Sequence, residues 1–338
     1  MKSSLLKSLI AGVALAALTA GGALAQTKLH LNSQPNEAGY PMWLAGHLGF
    51  FADNGLEVET TYFPNGGAAL ASGVSGDWQA GWTGGPPAIS GWDKFQLISF
   101  GTMQKEDRNI KLIMRKDAMQ GMTPGEALAK VRIGTVPNST WSQVLFACAD
   151  HFGVAHGDLE IVPLDPPVTR QSLRNGEVGA GTTAASADYD IVRNTDEFEV
   201  VCDGEIAGTS VIAPWIITSR FWKEDPDAAV RFVDAVFKAN EYIRENPEKA
   251  VDLSLDYYKD TGIEGNKETA AYAFSLRDFQ TLDEALADME SGATIDTLIR
   301  GAEVLVAAGA YDKVPDLKAM QPVALEVLRA AKKFRENK

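Results

Sequence analysis

Residues 41–63 read PMWLAGHLGFFADNGLEVETTYF, and this stretch decides the fold class. From Pro41 to Ala52 the apolar residues recur at helical spacing, which predicts an amphipathic helix. Asp53-Asn54-Gly55 follows, and glycine suits the left-handed position at which many helices end. Residues 56–63 are rich in β-branched and aromatic residues and predict a strand. A helix that turns directly into a strand is typical of α/β proteins.

The same alternation extends on both sides of this stretch. A strand is predicted at 28–34, and further strands at 78–82, 95–102 and 109–115. A second series of strands and helices covers residues 131–202, including a helix at 184–193, and the chain after Pro226 is almost wholly helical. We therefore predict an α/β fold of two lobes joined by two crossings. Residues 26–115 form the first lobe, residues 116–211 the second, and residues 212–338 return to the first lobe with C-terminal helices.

The first 25 residues predict an export signal. Lys2 and Lys7 precede a short apolar run, and Ala23-Leu24-Ala25 offers small residues at a cleavage site. The run is short for a membrane span, and polar residues follow it at once. We predict cleavage after Ala25 and a protein of the periplasm. An uncleaved anchor helix is the alternative.

Composition excludes some partners. The chain has 31 Lys and Arg against 45 Asp and Glu, a formal charge of −14. So acidic a chain repels nucleic acid and anionic membrane surfaces, and neither is predicted as a partner. The four histidines do not cluster with carboxylates at a metal-ligand spacing, so no metal site is predicted.

The two cysteines leave two possibilities open. Cys148 and Cys202 would enter an oxidising compartment on export, where a disulfide can persist. A single bridge and two separately buried thiols both fit the sequence.

No known catalytic motif is present. The sequence lacks the G-x-S-x-G nucleophile motif, the P-loop and the dinucleotide fingerprint. It therefore predicts neither an enzyme nor a cofactor.

Candidate binding residues follow from the strands, because open α/β sheets bind ligands beyond the carboxyl ends of their strands. Two such sheet edges that face each other would form a cleft. The residues predicted to line it are Gln34, Asn36, Trp82, Thr83, Gly84, Asn138, Ser139, Thr140, Trp141, Thr182, Thr183, Asp188 and Trp215.

Each of these has a structural alternative. Asn138-Ser139-Thr140 precedes a helix, whose electropositive end binds anions, but Ser139 could serve only as the helix cap. Thr83-Gly84 could be a tight turn without a ligand. The indole rings of Trp82, Trp141 and Trp215 could face a ligand or pack in a core. Asp188 could pair with a ligand ammonium or lie on a solvated helix face.

Several segments, in this order, resemble a known family. Residues 46–58 match its helix-to-strand turn, and residues 81–88 (GWTGGPPA) match its glycine-and-proline loop. Residues 133–140 (IGTVPNST) match its anion-binding loop, while residues 243–250 and 308–317 match C-terminal features. The chain thus resembles the substrate-binding proteins of ABC transporters for nitrate, taurine and aliphatic sulfonates, which are related in fold to thiamine-precursor binding proteins.

This resemblance implies a two-lobed, type II-like periplasmic binding protein. It would be a monomer that closes around a small organic anion by a hinge motion and hands it to a membrane permease. Pyrimidine- or menaquinone-precursor enzymes of the same fold are the alternative, as are receptors for nitrate or a thiamine precursor. Many relatives carry an aromatic-acidic-proline stretch where this chain has Thr182–Ala187. The smaller side chains predict a wider cleft, and therefore an organic sulfonate or carboxylate rather than nitrate.

Overall fold

The computed structural model describes residues 26–185 and 187–338. The predicted signal peptide lies outside these residues, and so does Ser186. Within the described ranges, no helix combines the length and apolar character that a membrane span requires.

The strands of the described chain form two separate sheets. The first has the order β11-β4-β10-β3-β1-β2 and the second the order β7-β6-β8-β5-β9. Their bounds are β1 (Thr27–Ser33), β2 (Leu56–Tyr62), β3 (Ala80–Trp82), β4 (Ile98–Lys105), β5 (Ile110–Arg115), β6 (Arg132–Thr135), β7 (Glu160–Pro163), β8 (Ala180–Ala184), β9 (Phe198–Asp203), β10 (Ile212–Ile217) and β11 (Asp278–Phe279).

Helices cover both sheets, and most of the chain after residue 219 is helical, as the sequence predicts. In the described ranges they are α1 (Tyr40–His47), α2 (Phe50–Asp53), α3 (Gly66–Ser75), α4 (Gly85–Phe95), α5 (Lys116–Met119), α6 (Pro124–Leu128), α7 (Thr140–Phe152), α8 (Pro166–Asn175), α9 (Tyr189–Arg193), α10 (Ser219–Glu224), α11 (Pro226–Glu245), α12 (Pro247–Thr261), α13 (Lys267–Ser275), α14 (Leu282–Ser291), α15 (Ala293–Ala307) and α16 (Gln321–Glu336).

The deciding stretch folds largely as predicted, with one break. The single helix expected over 41–52 is divided into α1 and α2, because Gly49 adopts a left-handed φ of 78° between them. Gly55, also left-handed at φ 69°, ends α2 and starts β2. Strand β2 then pairs in parallel with β1, Thr27 opposite Leu56. Glycine tolerates these angles at little cost, which explains both turns.

The chain passes between the sheets twice, after β4 and again between β9 and β10. The strand 110–115, which the sequence-based boundary assigned to the first lobe, pairs antiparallel with β8 and β9 in the second sheet. Its apolar pattern predicts a buried strand but carries no information on which sheet it joins. The first crossing is therefore the short segment 106–109.

Each lobe has its own apolar core. The first contains Phe100, Phe232 and Trp215, and the second is built around Leu112 and Leu145. In the second core a disulfide joins Cys148 on α7 to Cys202 on β9, with the Cα atoms 6.0 Å apart. The bridge closes a 54-residue separation, which typically stabilises a fold by about 2–4 kcal/mol.

The helix predicted over 184–193 is wrong in its first half. Strand β8 continues to Ala184, and helix α9 begins only at Tyr189. The alanines of this segment favour a helix locally, but pairing of β8 with β5 and β6 extends the strand instead. Asp188 therefore precedes the helix and is completely buried, and the solvated helix face is excluded.

Candidate functional site

The carboxyl ends of strands from both sheets meet at one cleft, where the lobes come into contact. A Cβ atom placed on Gly84, after β3, would lie 3.3 Å from Cγ2 and Oγ1 of Thr140, after β6. One turn into α7, Gln143 lies beside both Gly85 and Gly301 in the same way. We call Thr83, Gly84, Ser139 and Thr140 the helix-end region.

Two helices begin in this region and approach each other across the cleft. Helix α4 has Gly84 at its N-cap, with no side-chain cap, and Pro86 and Pro87 in its first turn. Helix α7 has Ser139 at its N-cap. Unpaired N–H groups and the helix dipole make the N-terminus of α7 electropositive. In α4 the dipole acts with fewer donors, because Pro86 and Pro87 have no N–H and leave that of Gly85 in the first positions. Two such ends that face one another suit a small anion between them.

The hydroxyl of Ser139 is engaged in capping. Its Oγ accepts from the Trp141 N–H at 3.2 Å and donates to the Val136 carbonyl at 2.6 Å, while the Ser142 hydroxyl accepts from the Ser139 N–H at 3.1 Å. Thr140 takes no part in this capping box and faces Gly84 instead. Asn138 is exposed, and its left-handed φ of 52° fits a turn residue.

On the first-lobe side, Thr83 is buried and its Oγ1 has no hydrogen-bond partner among the described residues. The same is true of both polar atoms of the Asn32 side chain, in β1. Buried polar groups are nearly always paired, so these atoms point to a ligand or water that the protein holds here. Sequence reasoning missed Asn32, although a polar residue near the carboxyl end of a predicted strand was a usable signal.

Gln34 and Asn36 follow β1 and have mainly structural contacts. Gln34 is largely buried and its carbonyl accepts from the Tyr257 hydroxyl at 3.4 Å. The Asn36 side chain caps a 3₁₀ turn by accepting from the Ala38 N–H at 3.0 Å.

The three candidate tryptophans contact the apolar cores, and among the described residues the buried indole N–H of Trp215 has no hydrogen-bond partner. Trp82 and Trp215 lie opposite each other on β3 and β10 and both belong to the first core. The indole of Trp82 donates to Ser33 Oγ at 2.9 Å. Trp141 is partly buried and packs against the second core.

In the second lobe, the two threonines near the end of β8 have different hydrogen-bond partners. Thr182 Oγ1 lies 2.7 Å from Thr135 Oγ1, on the strand that leads into α7. Thr183 Oγ1 donates to Asp188 Oδ2 at 3.5 Å. The threonines thus connect the helix-end region with a second group of polar residues.

This second group surrounds the first crossing, and we call it the crossing network. Lys111 Nζ lies 3.4 Å from Asp188 Oδ2 and 5.2 Å from the centre of the Tyr272 ring. Glu106 Oε1 accepts from Gln104 at 2.7 Å and from Asn109 at 3.3 Å, and the Nε of Arg277 lies 3.8 Å away. The network comprises Gln104, Glu106, Asn109, Lys111, Asp188 and Arg277, all buried.

Arg277 also ties the two lobes together. It follows helix α13, in the C-terminal part of the chain, and donates from Nη2 to the Ala185 carbonyl at 3.2 Å. Burial raises the pKa of Glu106 and of Asp188, and the opposing cations Arg277 and Lys111 moderate the two shifts. Burial lowers the pKa of Lys111, against the effect of Asp188. The four side chains of these ion pairs are at most 8% exposed, so little solvent reaches them.

The described residues offer no cluster of metal ligands. Within residues 26–185 and 187–338, no group of three or more His, Cys, Asp or Glu side chains is arranged to hold a metal ion.

The comparisons with known proteins agree with one another on the kind of protein that this chain resembles. The model of the family described as NMT1/THI5 like matches residues 36–250. The taurine-binding periplasmic protein of Escherichia coli is 24% identical over 203 residues, which cover 59% of this chain and 61% of that protein. The match therefore spans about three fifths of this relative's length.

Solved structures show the same fold at low identity. The periplasmic aliphatic sulphonate binding protein of Escherichia coli superposes with a TM-score of 0.68 at 15% identity, over 86% of this chain and 90% of that one. The periplasmic nitrate-binding protein of Synechocystis PCC 6803 gives 0.71 at 14% identity, over 91% and 89%. The predicted two-lobed α/β fold of the periplasmic binding proteins is confirmed.

Proposed function

The chain belongs to the NMT1/THI5-like family, and from this premise we propose that it is the solute receptor of an ABC importer. It is exported, cleaved after Ala25, and binds a small organic anion, a sulfonate or a carboxylate, between its lobes. The permease of the inner membrane is its partner. The relatives named above support this role, since they are periplasmic proteins described as binding sulphonate, taurine or nitrate.

One observation carries the proposal: two helix N-termini approach each other across the cleft at Gly84 and Thr140. An anion between them would meet donors from both lobes at once. Its charge would be stabilised without a charged side chain, because the dipoles and N–H groups supply the complement. The hydroxyl of Thr83, which has no hydrogen-bond partner among the described residues, adds a donor at the same sheet edge.

The same geometry gives a mechanism for transport. An anion held by one lobe gains the donors of the other only when the lobes close, so it favours the closed state by that difference in affinity. The segments 106–109 and 204–211 join the lobes and are the places where backbone rotation would produce the motion. The permease would then distinguish the closed, loaded receptor from the open one.

A thermal-shift screen followed by calorimetry tests the proposal on the chain that starts at Gln26. The panel contains ethanesulfonate, 2-aminoethanesulfonate, propanoate, 3-aminopropanoate and nitrate. We expect at least one organic anion to raise the melting temperature, since a ligand at 100 times its Kd adds about 2.7 kcal/mol. If no member of the panel binds, the proposed ligand class is wrong.

A matched pair of variants places the anion. Thr140→Ala removes a hydroxyl that faces Gly84, and we expect affinity to fall by about 1–3 kcal/mol. Thr61→Ala removes an exposed hydroxyl from the edge strand β2 and should leave affinity unchanged. Equal affinities for the two variants would contradict binding at the helix-end region.

A further inference from the structure

Helix α13 contacts both lobes, although it is part of neither crossing segment. Its inner side packs on the first lobe: Ala270 belongs to the first core, and the ring of Phe274 lies 5.2 Å from the ring of Tyr40. Other residues of α13, and Arg277 just after it, contact the second lobe. A helix anchored in the first lobe therefore reaches the second by side chains alone.

An ion pair at the surface forms the outer part of this contact. Glu268 Oε1, in the first turn of α13, accepts from Arg193 Nη1 at 2.6 Å and also from the Tyr189 hydroxyl, both on helix α9 of the second lobe. The rings of Tyr189 and Tyr272 lie 5.2 Å apart. The side chains of Arg193 and Glu268 are 62% and 66% exposed, so dissolved salt weakens their attraction.

Arg277 forms the buried part of the contact. Its Nη2 donates to the carbonyl of Ala185, directly after β8, and its Nη1 donates to the carbonyl of Ala273 in α13 at 2.8 Å. Its Nε lies 3.8 Å from the carboxylate of Glu106, at the first crossing. One guanidinium thus joins α13, the second lobe and the crossing.

These contacts oppose separation of the lobes. A rotation about the segments 106–109 and 204–211 changes the distances between groups of the two lobes that lie outside these segments. The ion pair of Arg193 with Glu268 and the hydrogen bond from Arg277 to Ala185 join such groups, so a wide opening would break both. Because exposed ion pairs are individually weak, the outer contact biases the equilibrium without preventing the motion.

We propose that α13 and Arg277 form an interlobe latch, which holds the lobes together whether or not a ligand is present and so sets the fraction of molecules whose cleft is open. The latch rests on the hinge motion of the proposed function, but it does not depend on which ligand the cleft binds.

Pulsed electron resonance on the ligand-free chain that starts at Gln26 measures the distance between the lobes. Nitroxide labels are attached at Thr61→Cys in β2 and Val168→Cys in α8, since both positions are exposed and the native cysteines are bonded to each other. Glu268→Arg places two guanidinium groups opposite each other. We expect the population with the longer distance to rise about threefold or more, because repulsion replaces an attraction.

A charge exchange and a distant charge reversal are the controls. Arg193→Glu combined with Glu268→Arg restores opposite charges and should return the distances to those of the unchanged protein. This double variant keeps any cost of a cation in the first turn of α13, so it separates that cost from the loss of pairing. Glu303→Arg, at an exposed position on α15, makes the same charge change and should leave the distances unaltered.

Salt gives a second measurement that requires no disruptive variant. In about 1 M salt the Debye length falls to about 3 Å, so the long-distance population of the labelled protein should increase. Glu268→Gln has no ion pair to screen and should respond less.

The outcomes separate the latch from the receptor function. Unchanged distances in Glu268→Arg would overturn the latch, as would a double variant in which the lobes open as far as in Glu268→Arg. An equal salt response in Glu268→Gln and in the unchanged protein would also contradict it. None of these measurements uses a ligand, so their failure leaves the anion receptor standing, and a failed ligand screen leaves the latch standing.

Discussion

The helix-end region and the crossing network lie along one cleft, but they are built from opposite chemistry. The first has no charged side chain among Thr83, Gly84, Ser139 and Thr140, whereas four of the six residues of the second are ionisable. The partial charge at a helix end comes from the aligned peptide dipoles of the backbone, so it requires no ionised side chain. Buried ions are costly to desolvate and seldom stabilise a protein more than apolar residues would. Removing one partner of such a buried ion pair should therefore destabilise the protein more than removing a hydroxyl of the helix-end region.

The largest effect should come from breaking the ion pair of the network. Lys111→Met leaves Asp188 buried without its cation, and we expect the free energy of unfolding to fall by about 3 kcal/mol at pH 7. Part of this loss should return at lower pH, where Asp188 is protonated. Urea unfolding measures both quantities.

The control for this variant is Lys116→Met, which removes an exposed lysine just after β5. A surface change of this kind usually alters stability by less than about 0.5 kcal/mol. Similar losses in both variants would show that the buried pair has no special importance.

In the helix-end region, at the other end of the cleft, we expect side-chain volume to affect ligand affinity more than charge does. Gly84→Val places a branched side chain where even a Cβ would lie 3.3 Å from Thr140, which hinders closure. We expect the affinity for the bound anion to fall by about 1–3 kcal/mol, the usual cost of overpacking. The fold itself should persist, since the extended backbone of residue 84 suits valine.

Gly157→Val is the comparison for that variant, because a Cβ at this position would meet no neighbour within 4 Å. Calorimetry on the two proteins isolates the effect of the interlobe contact. Unaltered affinity in Gly84→Val would mean that the lobes need not approach here to bind.

A smaller effect should distinguish the roles of the Ser139 and Thr140 hydroxyls at the N-terminus of α7. Ser139→Ala removes the helix cap, and stability should fall by about 1 kcal/mol while affinity changes little. Thermal unfolding and calorimetry on the same preparation report the two quantities. A large loss of affinity at constant stability would transfer the ligand contact from Thr140 to Ser139.

The smallest expected effect is on the pH dependence of the free energy of unfolding. Burial raises the pKa of Asp188 and Glu106, so the folded protein retains protons that the unfolded chain has lost. Their contribution to stability is therefore greatest below the ordinary carboxyl pKa of about 4 and declines as pH rises through the raised values. Asp188→Asn should remove a fraction of the roughly 1.4 kcal/mol per pH unit that one full proton would give. Unfolding at several pH values between 4 and 7 measures the slope, and an identical slope in both proteins would contradict a raised pKa at Asp188.

The ranking of ligands stays a prediction from the sequence. Organic anions rank above nitrate because the small side chains of Thr182–Ala187 predict a wider cleft, to which indole rings could add apolar surface. Trp82 and Trp215 belong to the first core, and among the described residues the indole nitrogen of Trp215 has no hydrogen-bond partner.

The sequence by itself determined the α/β class, the order of strands and helices, and the loops that reach the cleft. These follow from local physics, since residue spacing, left-handed glycines and strand propensity act over a few residues. Thr83, Gly84 and Thr140 could thus be proposed as cleft residues from their places after strands.

Only the tertiary structure decided which sheet receives residues 110–115, that Cys148 and Cys202 form a bridge, and that Asp188 is buried against Lys111. These two charged residues are 77 positions apart, and each reads alone as a surface residue. Pairing between β5 and β8 brings them together. No local pattern encodes such a contact, because its energy exists only once both strands are in the sheet and water has been excluded.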